Sequence, residues 1–141
     1  MILILLFIAL ASIAWQSTFT RLYADDYCIG AAANRLNLVD FIEDWYTAWT
    51  GRFSYLIFAW LLAKGGARLA AVLPSLTLMI WLVTLAWSSL PVLKRYGNSK
   101  LVLPAISFSA LILLVLLKST PNLFQSFFWR DGLINYTFPL I

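Results

Sequence analysis

The chain contains no histidine, one cysteine and only six acidic residues among 141. The missing histidine excludes a Ser-His-Asp triad, an imidazole base and any histidine-ligated metal from this chain. The one thiol, Cys28, cannot close an internal disulfide and has no partner for a Cys-x-x-Cys or zinc pair. Charge of both signs is scarce, at 11% of residues, against about 25% in soluble domains. Hydrophobic residues make up 62% and the mean hydropathy is +0.86. A water-soluble core of this size has no use for so much apolar surface, so the composition indicates an integral membrane protein. The net charge of +4 comes from Lys and Arg placed singly or in short groups between apolar runs, as membrane flanks are. Nucleic-acid binding needs them clustered on a polar surface, so no nucleic-acid partner is expected.

The apolar runs that are present divide the chain. Met1–Trp15 would be about 22 Å long as a helix, and with Gln16–Phe19 it reads as a first span, 1–19. Ala9-Leu10-Ala11 resembles a cleavage site, but the cationic start of a secretory signal is missing. Residues 20–68 read as a first external loop with juxtamembrane helices, and the segment from Ser17 to Arg52 holds five of the six acids. Asp40 and Glu43 stand three apart, the spacing of an N-cap with a capping-box glutamate. Phe41, Trp45 and Trp49 then recur on one helical face. Such a stripe serves packing more often than ligand binding, and in a membrane protein it suits a helix lying in the interface. Phe53–Ala63 is apolar but would be only about 16 Å long as a helix, too short to cross a hydrocarbon core of about 30 Å.

Two further runs, Leu69–Leu93 and Leu101–Leu117, are long enough to be the second span (69–93) and the third (101–118). Between them lies the densest cationic stretch, Lys94–Lys100. If Phe53–Ala63 crossed, that stretch would face away from the cytoplasm, against the positive-inside rule. Treating Phe53–Ala63 as re-entrant or interfacial makes 94–100 a cytoplasmic loop. It also puts the first loop and a second external loop, 119–136, on the opposite side. Thr137–Ile141 reads as the start of a fourth span. The expected fold is thus an all-α integral membrane protein, a single membrane domain over 1–141. It would have about three transmembrane helices, with interfacial helices in the first external loop.

Two polar clusters stand out against this background. Asp25-Asp26 sits where the first apolar run ends, and acid there is not needed for insertion. The plain alternative is a solvated loop or a helix cap. The second cluster is the tail Trp129-Arg130-Asp131-Gly132-Leu133-Ile134-Asn135-Tyr136, whose plain alternative is an aromatic belt with a local Arg130–Asp131 salt bridge.

Arg21-Leu22-Tyr23-Ala24-Asp25-Asp26-Tyr27, Trp49-Thr50-Gly51-Arg52-Phe53 and the Trp129, Gly132, Asn135, Tyr136 spacing together resemble the GT-C membrane glycosyltransferases. The closest likeness is to a bacterial branch with an Asp-Asp-Tyr motif after the first span. The resemblance covers the whole chain, as the first quarter to third of such an enzyme, so the chain is expected to be the N-terminal portion of a larger multi-span protein, inactive alone. It implies a sugar moved from a polyprenyl-phosphate carrier to a hydroxyl on a glycan, lipid or protein acceptor. The setting would be the extracytoplasmic face of the bacterial inner membrane, in modification of the cell envelope. It also implies Asp25 as catalytic base, with Asp26 orienting the acceptor or a metal.

The chemistry asks for the same parts. A base must serve the attacking hydroxyl, and a neighbouring carboxylate raises a carboxyl's pKa by like charge. Arg52 or Arg130 would stabilise the departing phosphate, with Trp129, Asp131, Asn135 and Tyr136 as further substrate-binding candidates. Adjacent aspartates are poorly placed to flank a bond from opposite faces, which favours a single inverting displacement. No organic cofactor is expected, and any divalent metal would fall to Asp25 and Asp26. The rival readings are a small non-enzymatic multi-span subunit and a transporter fragment. Against the latter, neither long run carries a charge in its interior.

Overall fold

The computed structural model describes residues 2–95 and 102–141, and among them every regular element is helical. The helices are α1 (Ile2–Ser17), α2 (Asp25–Arg35), α3 (Leu38–Ala48), α4 (Phe53–Ala63), α5 (Gly66–Lys94) and α6 (Val102–Ser119). The tail follows as two π-helical turns, Phe124–Phe128 and Leu133–Thr137. A single α-turn, α7 (Arg130–Gly132), separates them, and Phe138–Leu140 forms a final tight turn. Most of the proposed cytoplasmic loop 94–100 lies outside the described residues.

Among the described residues, two helices are long and apolar enough to cross a membrane, α5 with 29 residues and α6 with 18. At 1.5 Å per residue they span about 43 Å and 27 Å. The 16 residues of α1 and the 11 of α4 fall short of the roughly 20 usually needed.

Helices α1, α5 and α6 pack against one another as a bundle. Its core runs through Leu10 and Ile13, Leu73, Leu78 and Trp81, and Ala110, Leu113 and Leu117, and is closed at one end by Phe127, Phe128 and Leu133 of the tail. The buried face of α6 includes Ala105, Ser109 and Ala110, small side chains that allow close helix approach. The outward faces are apolar as well: Ile4, Leu5 and Ile8, then Val72, Leu76, Met79 and Val83, then Phe108, Leu111 and Val115 are all exposed.

A line of hydroxyls ties α1 to α5. Pro74 lies inside α5 and offers no N–H to the carbonyl of Ala70, four residues back. Thr20 Oγ1 donates to that carbonyl instead, at 3.1 Å. Nearby, Ser17 and Ser75 share a hydroxyl contact at 2.5 Å, and Ser75 donates to the Ala14 carbonyl.

A second cluster gathers α2, α3 and α4 around Ile29, Ala33, Phe41, Tyr55, Leu56 and Ala59, with Ile134 of the tail. One local expectation is corrected here. The N-cap of α3 is Asn37, not Asp40: Asn37 Oδ1 accepts from the N–H groups of Val39 and Asp40 at 3.0 Å each. Asp40 sits in the first turn and accepts from Asn37 Nδ2. Asn and Asp cap equally well, and Asn37–Asp40 repeats the three-residue spacing that Asp40–Glu43 offered. The aromatic stripe serves packing along its first two members. Phe41 is fully buried and stacks on Trp45, Trp45 is half-buried, and only Trp49 stands out, at 68% exposure.

Candidate active site

Helix α2 opens directly on the acidic pair. Ala24, just before it, has φ 45° and ψ −114°, a conformation that a residue with a Cβ adopts only when its surroundings enforce it. The sharp turn sends the two carboxylates different ways. Asp25 is half-buried and makes no ion pair or hydrogen bond among the described residues, whereas Asp26 is fully buried. Asp26 Oδ2 accepts from the Tyr23 N–H at 3.0 Å. Its Oδ1 lies 3.1 Å from Arg130 Nε, and Arg130 Nη2 donates to the Asp26 carbonyl at 3.2 Å. The Nε–Oδ1 contact is not aligned as a hydrogen bond, so charge holds it. Burial pushes the Asp26 carboxyl above the usual carboxylate range, against the lowering effects of Tyr23 N–H and Arg130. The neighbouring Asp25 charge is the smallest contributor.

The tail supplies the other wall. The local Arg130–Asp131 salt bridge considered for this tail does not form. Arg130, 2% exposed, turns to Asp26, while Asp131 accepts a hydrogen bond from the Tyr55 hydroxyl of α4. Burial raises the Asp131 carboxyl, and burial followed by the bond to Asp131 keeps the Tyr55 phenol protonated well beyond its ordinary range. Asn135 Nδ2 donates to the Asp131 carbonyl at 3.0 Å, and Asn135 Oδ1 accepts from Arg52 Nη1 at 3.1 Å. Trp129 Nε1 donates to the Tyr23 carbonyl at 3.2 Å. Gly132 permits the fold of this wall, because a Cβ there would lie 1.6 Å from the Gln125 carbonyl oxygen.

Hydrogen bonds and one ion pair thus join three segments distant in sequence: Tyr23–Asp26, Arg52–Tyr55 and Trp129–Asn135. Of the candidate site residues, Tyr136 is exposed with no polar partner among the described residues. Tyr55 was not singled out. It lies in an apolar run, and only its bond to Asp131, 76 positions away, marks it.

Tyr55 also lines a cavity of about 650 Å³ between α4, α5 and the tail. Phe58, Ile80, Phe138 and Pro139 form its apolar part, and Arg52, Ser54 and Asn135 its polar part. Arg130 is not among the lining residues, being spent on Asp26, so Arg52 is the cation available to a ligand there. The donor set does not suit a divalent metal. No group of three or more acidic or cysteine ligands forms among the described residues, and both Asp26 oxygens already face partners. No known family matches the chain, and no curated protein or solved structure matches it.

Proposed function

We propose that this protein is a multi-pass membrane glycosyltransferase of the GT-C type. It would move a sugar from a polyprenyl phosphate to an acceptor hydroxyl on the extracytoplasmic face of a bacterial inner membrane. The observation that carries the reading is the division of labour within the acidic cluster. Asp26 and Asp131 are buried and engaged, while Asp25 is half-buried and makes no ion pair or hydrogen bond among the described residues. A general base must be open to its proton donor, and Asp25 alone of the three meets that condition. Tyr55 links this cluster to the cavity, with its hydroxyl on Asp131 and its side chain in the cavity wall.

In this mechanism Asp25 takes the proton of the acceptor hydroxyl as that oxygen attacks the anomeric carbon. The bond from the anomeric carbon to the phosphate oxygen breaks, its electron pair leaves with the phosphate, and the configuration inverts. Arg52 neutralises the leaving phosphate, and the apolar part of the cavity takes the adjoining prenyl chain. Asp26 and Arg130 hold the turn that presents Asp25.

The test is transfer from a radiolabelled polyprenyl-phosphate sugar in native membranes, with Asp25→Asn introduced at the natural locus. Losing a general base costs about 10²–10⁴ in rate, so transfer should fall by that factor at a matched protein level. Transfer at the wild-type rate would remove Asp25 from the chemistry. A fall in membrane abundance instead would favour a non-enzymatic subunit whose acids serve assembly.

A further inference from the structure

Three aromatic side chains cluster at the turn that carries Asp25 and Asp26, outside the cavity. Tyr23 makes edge-to-face contacts with Phe124, at 5.7 Å between ring centroids, and with Trp129, at 6.2 Å. Tyr23 and Phe124 are 57% and 47% exposed, and none of the three lines the cavity. The frame beneath them is rigid. The Tyr23 N–H donates to Asp26, and the Tyr23 carbonyl accepts from both the Asp26 N–H and the Trp129 indole. Asp25 follows two residues after Tyr23.

We infer that Tyr23, Phe124 and Trp129 form a platform that holds a pyranose ring of a glycan acceptor against Asp25. A pyranose has a C–H face and a hydroxyl edge. The partly positive C–H groups meet the negative face of an aromatic ring, and the hydroxyls need an acceptor such as a carboxylate beside it. Both are present here, fixed before any ligand arrives, which limits the ordering cost of binding. The acceptor is favoured over the donor sugar because the lipid-phosphate end of the donor is assigned to the cavity, which the three rings do not line. A membrane anchor would use the rings alone and would bring a carboxylate into the apolar layer, where charge is costly. The acceptor assignment rests on the glycosyltransferase reading, whereas sugar binding by the platform does not.

The full chain in detergent is titrated with methyl glycosides of glucose, galactose, mannose and N-acetylglucosamine, followed by saturation-transfer NMR and tryptophan emission. At least one should bind saturably. Tyr23→Ala removes the ring but keeps both main-chain groups that Asp26 and Trp129 use, so it should weaken binding about tenfold without lowering the melting midpoint. Phe124→Leu should act in the same direction, while Tyr23→Phe, which keeps the ring, should retain binding. In parallel, bimane on Cys28, the sole cysteine and an exposed one, reports the surroundings of the patch in vesicles containing lipids brominated on the acyl chain.

Absence of saturable binding across the panel, unchanged affinity in Tyr23→Ala, or strong bimane quenching by the brominated chains would each overturn the platform. The catalytic reading is judged separately. If Asp25→Asn transfers sugar normally while Tyr23→Ala loses glycoside binding, the platform stands and the base assignment falls.

Discussion

At the scale of single residues, the acidic pair is two different groups. Adjacency in sequence suggested a shared like-charge shift, but the strained turn at Ala24 separates the two side chains. Burial, not the neighbouring charge, dominates at Asp26. The carboxyls of Asp26 and Asp131 are both raised above 3.8 in the fold, so the folded state holds their protons more tightly than the unfolded chain does. The sign follows from linkage: their contribution to stability is fully present below pH 3.8 and is lost as pH rises through the raised folded values. The midpoint of thermal unfolding in detergent should therefore fall as pH is raised from about 4 to 7. Asp131→Asn keeps the acceptor for Tyr55 and removes one titrating group, so its profile should be flatter than that of wild type over the same interval. A wild-type minus variant difference that grows with pH would contradict the assignment.

At the scale of elements, the apolar runs read from the sequence became helices with ends within a few residues of those expected, because composition and length decide such helices. The joints were less legible. Pro74 and Pro91 lie inside α5, and at Pro74 the carbonyl left without its N–H accepts from Thr20, in the segment after α1. Thr20→Val, similar in shape, removes that donor. It should cost about 1–3 kcal/mol, the penalty of an unpaired buried carbonyl, seen as a lower unfolding midpoint with helix content unchanged by circular dichroism. Gly132 was legible as part of a motif, but its physical role was not: it allows the turn after Trp129 to close on Gln125. Gly132→Ala forces backbone against backbone and should destabilise by on the order of 3 kcal/mol. The accompanying loss of the Arg130–Asp26 contact would appear as weakened protease resistance of the tail.

At the scale of the whole molecule, the three polar segments meet because the structure has two cores. The bundle of α1, α5 and α6 forms one, and α2, α3 and α4 form the other, with the tail contributing Ile134 to the second while its phenylalanines close the first. The sequence pointed toward this division where it marked Phe53–Ala63 as too short to cross. It did not show that α4 supplies Tyr55 to the site, since that depends on a contact across the two cores. The proposed membrane arrangement makes a strong demand: everything built on the second core should lie on one side of the bilayer. Cys28, in α2, should react with a membrane-impermeant maleimide in intact spheroplasts. In a Cys28→Ser background, single cysteines at Arg52, Lys64 and Tyr136 should react from that same side, because α4 enters and leaves on one face. A cysteine at Lys94, beyond the long α5, should react only after permeabilisation, since α5, at about 43 Å, is long enough to cross. Labelling of positions 52 and 64 from opposite sides would make α4 a span. It would also separate Tyr55 from Asp131 across the membrane, which the hydrogen bond between them does not allow.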